Sequence, residues 1–226
     1  VYHAYQSLYS ASHNISTVDI WTQPIDFDLI PSDPRLSTIT VDKLPSTNNI
    51  KENNRQLLRH LATISSVLEA YDENYDYILI DSHPEVLDVL RSVIFASDYC
   101  VSPVKLDLQS SIGVPTIINE MYQVNDDVDV IEKTIGSDYP TKPTVFAGAI
   151  GMMAREWGGS LKQSERNEYQ RLKSAGYIFE NYVTEGDGLR QAAAGRSTVY
   201  DTSGANAEKQ ARQFQNIVNE FVGVCK

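Results

Sequence analysis

Tyr75-Asp76-Tyr77-Ile78-Leu79-Ile80-Asp81-Ser82-His83-Pro84 carries four consecutive apolar or aromatic residues into a carboxylate and then into turn residues. A short apolar run bounded in this way reads as a strand buried on both faces, the kind from which parallel sheets are built. Open α/β sheets bind their ligands at the C-terminal edge of such strands, where Asp81 would stand. A carboxylate there can hold a hard cation through oxygen, and an aspartate that merely caps the next turn has the same pattern. His83 beside it reads as a structural hydrogen-bonding residue.

On either side, apolar runs alternate with helical periodicity, which predicts a parallel sheet covered by helices. Upstream, Phe27 to Ile30 reads as a short strand closed by Pro31, with Ser32-Asp33-Pro34 as a turn. Leu57, Leu61, Ile64 and Leu68 form one helical stripe. Downstream come a helix on Val86, Leu90 and Ile94, a strand from Tyr99 to Val104 stopped near Pro103, and a helix from Ile112 to Tyr122. The acidic stretch Asp126 to Asp138 reads as solvated and partly loop. Val145 to Met153 is a further buried strand, Trp157-Gly158-Gly159-Ser160 a flexible turn, Gln163 to Lys173 a polar helix and Tyr177 to Val183 the last strand. Ala207, Ala211, Phe214, Val218 and Phe221 alternate steps of four and three along a closing helix.

The 226 residues are 42% hydrophobic and 22% charged, enough to bury a core, and one domain spanning 1–226 is the economical count. No run reaches the roughly 18 apolar residues of a membrane span, and the N-terminus has no export signal, so a cytoplasmic protein is expected. Cys100 and Cys225 lack partners at metal spacing, which leaves Cys100 in a strand core and Cys225 in the tail. The net charge is −11. Residues 1–150 hold 9 Lys and Arg against 21 Asp and Glu, whereas residues 151–226 hold 10 against 9. An anionic partner would therefore dock on the C-terminal third.

Asn74 to Pro84 resembles the NYDYIIIDxPP segment of the ParA family of partition ATPases, and further likenesses follow in the family's order. Val1-Tyr2 and the Phe27–Ser32 stretch resemble its xLDxIPA strand. Ala96 to Val104 resembles ASDxVxIPV, Gly148 to Met153 resembles GVxxTM, Gly195 to Asp201 resembles GxxxxxYD, and Ala205 to Phe221 resembles the closing GAxxYxxLxxEx helix. The resemblance spans nearly the whole chain and implies an α/β, P-loop NTPase-like fold, a mostly parallel sheet flanked by helices. It also exposes a gap, because such ATPases carry near their N-terminus a KGGxGKT[ST] loop that cradles phosphates. Here the first glycine is Gly113 and no Gly-Lys pair occurs. With no methionine before Met121, the expectation is an N-terminally truncated chain that lacks the first strand, the phosphate loop and the aspartate that positions the attacking water. A degenerate, ATP-free relative is the alternative.

By the same resemblance, Asp81 is the catalytic and metal residue that holds Mg²⁺, and Met153, Thr184 and Asp187 flank the base of ATP. Thr184 stands where the family has the proline of IPR. The implied function is segregation of plasmid or chromosomal DNA. ATP would drive formation of a homodimer that binds DNA non-specifically on the nucleoid, through Arg190, Arg196, Lys209 and Arg212. A ParB-type centromere-binding partner would stimulate hydrolysis. The family's NVRL arginine corresponds to Gly188, with Arg190 two places on. Two alternatives stay open: a MinD-like positioning ATPase, which would need a basic amphipathic tail beyond Phe221, and a non-enzymatic scaffold of the same fold.

Overall fold

The computed structural model describes residues 1–9, 21–22, 28–82, 87–136 and 141–225. His83, Phe27 and Val86 lie outside them. Two compact units are formed, residues 1–98 with 120–144 and residues 99–119 with 145–226.

The first unit begins with α1 (Tyr2–Tyr9) and a minimal antiparallel pair, β1 (Trp21–Thr22) and β2 (Asp28–Leu29). Asp33 accepts a hydrogen bond from the Arg35 amide and Pro34 opens the turn behind it, so the Ser32–Pro34 turn forms as a 3₁₀ start. The stripe expected on one helix is split between α2 (Ile50–Leu61) and α3 (Thr63–Leu68), which meet at Ala62. The break rotates the buried face onto Leu58, Leu61, Ile64 and Val67, leaving Leu57 and Leu68 at its margin. α4 (Leu87–Ala96) completes this layer, and Tyr5, Ile39, Ile64 and Val93 form its core.

The second unit holds the sheet. β3 (Tyr99–Lys105), β4 (Val145–Ala154) and β7 (Ile178–Thr184) are parallel in the order β3-β4-β7. β3 continues through Pro103 because it is an edge of this sheet, bonded on one side to β4, where a proline costs no ladder bond on its open side. α5 (Leu108–Ser111) and α6 (Gly113–Ile135) follow it, the residues of α6 from Glu120 onward belonging to the first unit. The acidic stretch expected to be partly loop is helical as far as Ile135. Val114, Ile118, Met121, Val124, Val128 and Ile131 keep a helical period through it, and burying that stripe outweighs the repulsion between its carboxylates. Between β4 and β7 lie the short antiparallel strands β5 (Glu156–Trp157) and β6 (Ser160–Leu161), then α7 (Gln163–Ser174). α8 (Asp187–Ala194) and α9 (Ala205–Val224) end the chain.

α9 lies along β7. Phe179, Val183 and Ile217 are buried together with Phe214 and Phe221 against them, while Val218, expected on this face, is 46% exposed. Where α8 meets α9, Gly188 allows a close approach: a Cβ there would stand 2.6 Å from the Ala207 Cα and 2.8 Å from its nitrogen. Both are helix backbone and cannot turn aside. Gly188→Ala should therefore push the helices apart and cost about 1–3 kcal/mol. Thermal denaturation should show a Tm loss of roughly 2–4 °C for each kcal/mol, and an unchanged Tm would mean that the contact is looser than described.

Candidate functional site

In the first unit, Tyr75 to Ser82 forms no strand, contrary to the sequence reading. A ladder needs a neighbouring backbone, and no described residue bonds to the backbone of Ile78 to Asp81. Tyr77 is 53% exposed and Leu79 84%. The segment is held at two points. The Tyr75 hydroxyl donates to Asp28 Oδ2 at 2.5 Å, and Ile80 packs against the core around Tyr5 and Val93. Asp81 follows Ile80 directly. Its carboxylate is exposed and engaged by no hydrogen bond or ion pair among the described residues. Among those residues no three His, Cys, Asp or Glu side chains gather as a metal site. A single exposed carboxylate suits Mg²⁺, which takes one or two from protein and completes its shell with water and phosphate oxygens.

The remaining sequence-derived residues all lie in the second unit. β4 and β7 end side by side, with Ala154 paired to Thr184 and the Glu185 amide donating to the Ala154 carbonyl at 2.8 Å. Just before that end the β4 register slips, and Met153 takes φ +53° with its side chain 47% exposed. A left-handed non-glycine residue costs on the order of 1–3 kcal/mol, and such outliers gather at ligand sites. Met153 is thus turned out of the sheet at its C-terminal edge.

Thr184 is 5% exposed, and both its amide and its hydroxyl donate to Gln213 Oε1, each at 3.0 Å. Its carbonyl accepts from Gln210 Nε2 at 2.9 Å, while Gln210 Oε1 accepts from the Leu189 amide at 3.0 Å. One turn of α9 thereby fixes the corner between β7 and α8. Glu220, farther along the helix, accepts from the amides of Glu180 and Asn181 at 2.6 and 3.1 Å. Sequence reading missed these three α9 residues, although Gln210, Gln213 and Glu220 recur on the helix's sheet-facing side at steps of three and seven. Asp187 opens α8 with an exposed carboxylate and forms an ion pair with Arg190 at 2.8 Å.

The four basic candidates divide accordingly. Arg190 is held by Asp187. Lys209 donates to Glu156 Oε2 at 2.6 Å. Burial works against ionising that carboxyl, but hydrogen bonds from Lys209 and Tyr182 outweigh it and leave Glu156 below its ordinary range. The Tyr182 hydroxyl is in turn pushed up to about 12, by desolvation first and by this carboxylate second. Arg196, at φ +50° past the end of α8, and Arg212 on α9 are exposed and form no ion pair among the described residues.

A family model described as an AAA domain matches residues 2–134, more than half of the chain. No curated protein sequence matches. Among solved structures, apo McdA from Cyanothece aligns over 91% of this chain and 69% of its own, at TM-score 0.53 and 18% identity. The ATP complex of a variant McdA from Cyanothece aligns over 87% of this chain and 75% of its own, at TM-score 0.48 and 17% identity. The first likeness concerns the fold, a mostly parallel sheet flanked by helices.

Proposed function

From the premise that the chain belongs to the AAA domain family, in its ParA-type division, we propose that it is part of an ATPase that segregates DNA. In this reading ATP drives homodimerisation and non-specific DNA binding, and a ParB-type protein triggers hydrolysis. The observation that carries it is Asp81. It lies inside the family match, at the end of an apolar segment, with an exposed carboxylate that forms no hydrogen bond or ion pair among the described residues. Asp81 would hold the Mg²⁺ that, when bound, neutralises charge on the phosphate oxygens. In this reading Met153, with its left-handed backbone, and Asp187, ion-paired with Arg190, would flank the base. Thr184 would contribute through the position of the β7 end, since its own polar groups are spent on α9.

DNA would be met by Arg196 and Arg212. Their unit carries 11 basic and 10 acidic residues, whereas the first carries 8 and 20. Only the former is suited to a polyanion, and this supports an association with the nucleoid. Among the described residues no helix is long and apolar enough to cross a membrane.

Residues 1–226 contain no Gly-Lys pair to hold β and γ phosphates, and the contacts they offer reach mainly metal and base. Calorimetry of this chain with ATP and Mg²⁺ should show no measurable binding. Joining a phosphate loop and its strand ahead of Val1 should produce micromolar binding and slow hydrolysis. Micromolar binding by residues 1–226 themselves would reveal a phosphate site of another kind, and no binding by the extended chain would favour the scaffold.

A further inference from the structure

The four residues read as a flexible turn are an ordered hairpin. Trp157 pairs with Ser160 and Glu156 with Leu161. Gly158 and Gly159 take φ +59° and +78°, the two consecutive left-handed positions a tight hairpin turn requires. Its base is anchored throughout. Leu161 is buried, Glu156 accepts from Lys209 and from the Tyr182 hydroxyl, and the Arg155 amide donates to the buried Glu165. The Lys162 amide bonds to the Arg155 carbonyl at 3.0 Å, and Arg166 donates a guanidinium N–H to the Leu161 carbonyl at 3.0 Å.

On this stiff stalk the indole of Trp157 is 83% exposed. The fold gains almost nothing from it there, since the area it could remove from water stays wet. Of the acids around the stalk, Glu156 and Glu165 are spent on Lys209 and Arg155, and Glu185 and Asp107 act on Arg155 from farther off, whereas Lys162 and Arg166 are exposed and form no ion pair among the described residues. An exposed aromatic plane followed by two cations without an ion-pair partner suits a polyanion whose rings have free faces. Duplex DNA hides its base faces in the stack, and an inserting membrane loop would add apolar neighbours where this tip has Gly158, Gly159 and Ser160.

We propose that the Glu156–Leu161 hairpin binds single-stranded nucleic acid, with Trp157 stacking on a base and Lys162 and Arg166 meeting the flanking phosphates. This goes beyond the ATP-dependent duplex binding proposed above and needs neither ATP nor Arg196 and Arg212.

The test is fluorescence anisotropy of a labelled oligo(dT) of about twenty nucleotides, longer than the roughly 4–16 such platforms span, titrated with the 226-residue chain at low salt. Trp157→Ala should weaken binding about 5- to 150-fold, as loss of one base–aromatic stack does. Trp157→Phe should keep it within about threefold, because a ring remains. Lys162→Glu, which leaves the Arg166 bond to the Leu161 carbonyl in place, should weaken it and lower its salt dependence, while Arg196→Glu with Arg212→Glu leaves it in place. Trp157 contributes nothing to the core, so the alanine variant should keep the parent's circular dichroism and Tm. Failure of the chain to bind oligo(dT), equal binding by the alanine variant, or equal competition by a duplex of the same length would each overturn the proposal. Binding to phosphatidylserine vesicles in place of the oligonucleotide would overturn it in favour of a membrane contact.

Discussion

Asp81→Ala, in a chain that carries a phosphate loop ahead of Val1, should reduce ATP turnover about a hundredfold or more, the usual loss when an electrostatic contact to a developing charge is removed. The fold should survive, because the side chain is exposed and no described residue depends on it. Ile80, one residue earlier, holds the segment in the core of the first unit, so truncating the carboxylate leaves the anchor untouched. Turnover measured under saturating Mg²⁺ separates a metal ligand from a turn cap. A cap substituted by alanine costs about 1 kcal/mol of stability with little change in rate, whereas a ligand costs rate with little change in Tm. Asp81→Asn should resemble the alanine variant, since an amide keeps the shape and loses the charge. Near-parental hydrolysis by a folded Asp81→Ala protein would remove the residue from the mechanism.

Charge reversal of Arg196 and Arg212 should abolish duplex DNA binding by the same extended, ATP-loaded protein while leaving ATP-dependent dimerisation intact. Sequence alone points to four cations, but two are already neutralised: Arg190 by Asp187 and Lys209 by Glu156. Each phosphate contact contributes roughly 0.9 to the logarithmic salt slope, so two per subunit predict a slope near 2, and a dimer near 4. Reversing Lys209 as well would take from Glu156 one of its two partners and set a like charge beside it, which confuses loss of a contact with loss of structure. The double variant is the cleaner test, read by electrophoretic shift across a salt series. If it shifts DNA as the parent does, the basic surface lies elsewhere. If the parent shifts no DNA with ATP, the DNA part of the proposed function fails.

The second unit was legible because its elements carry their own periodicity. β4, β7, α7 and α9 fall within a residue or a few of the apolar runs and stripes that announce them. The first unit was harder to read. The interruption at Ala62 leaves no mark in a stripe of leucines, and the shift from Leu57 to Leu58 is visible only once the helix is broken. The acidic run after Asp126 was misread by its charge, although Val128 and Ile131 kept the period. Tyr77 to Ile80 shows the opposite failure. Its composition is that of a central strand, but a strand is a relation between two backbones, and one sequence segment cannot state whether the other is present. Among the candidate site residues, Met153 was expected at a strand end and stands at one, whereas Asp81 was expected at the end of a strand that does not form. Thr184 was placed by alignment to a motif, which says where a residue falls along the chain and nothing of the glutamine that will occupy its hydroxyl.

Three side chains of α9 supply the acceptors for four amides on β7 and α8, namely Glu180, Asn181, Thr184 and Leu189. Ordinary sheet amides exchange with solvent hydrogen when the sheet opens. These four are guarded by Gln210, Gln213 and Glu220, so their protection lasts only while the terminal helix stays docked, whatever the state of the β3-β4-β7 ladder. Undocking need not disturb a single bond of that ladder to expose them together. The closing helix should therefore open as a unit with its own free energy, read as common exchange rates for these four amides, and the loop that follows β7, with Asp187 at its end, should loosen at the frequency of that helix.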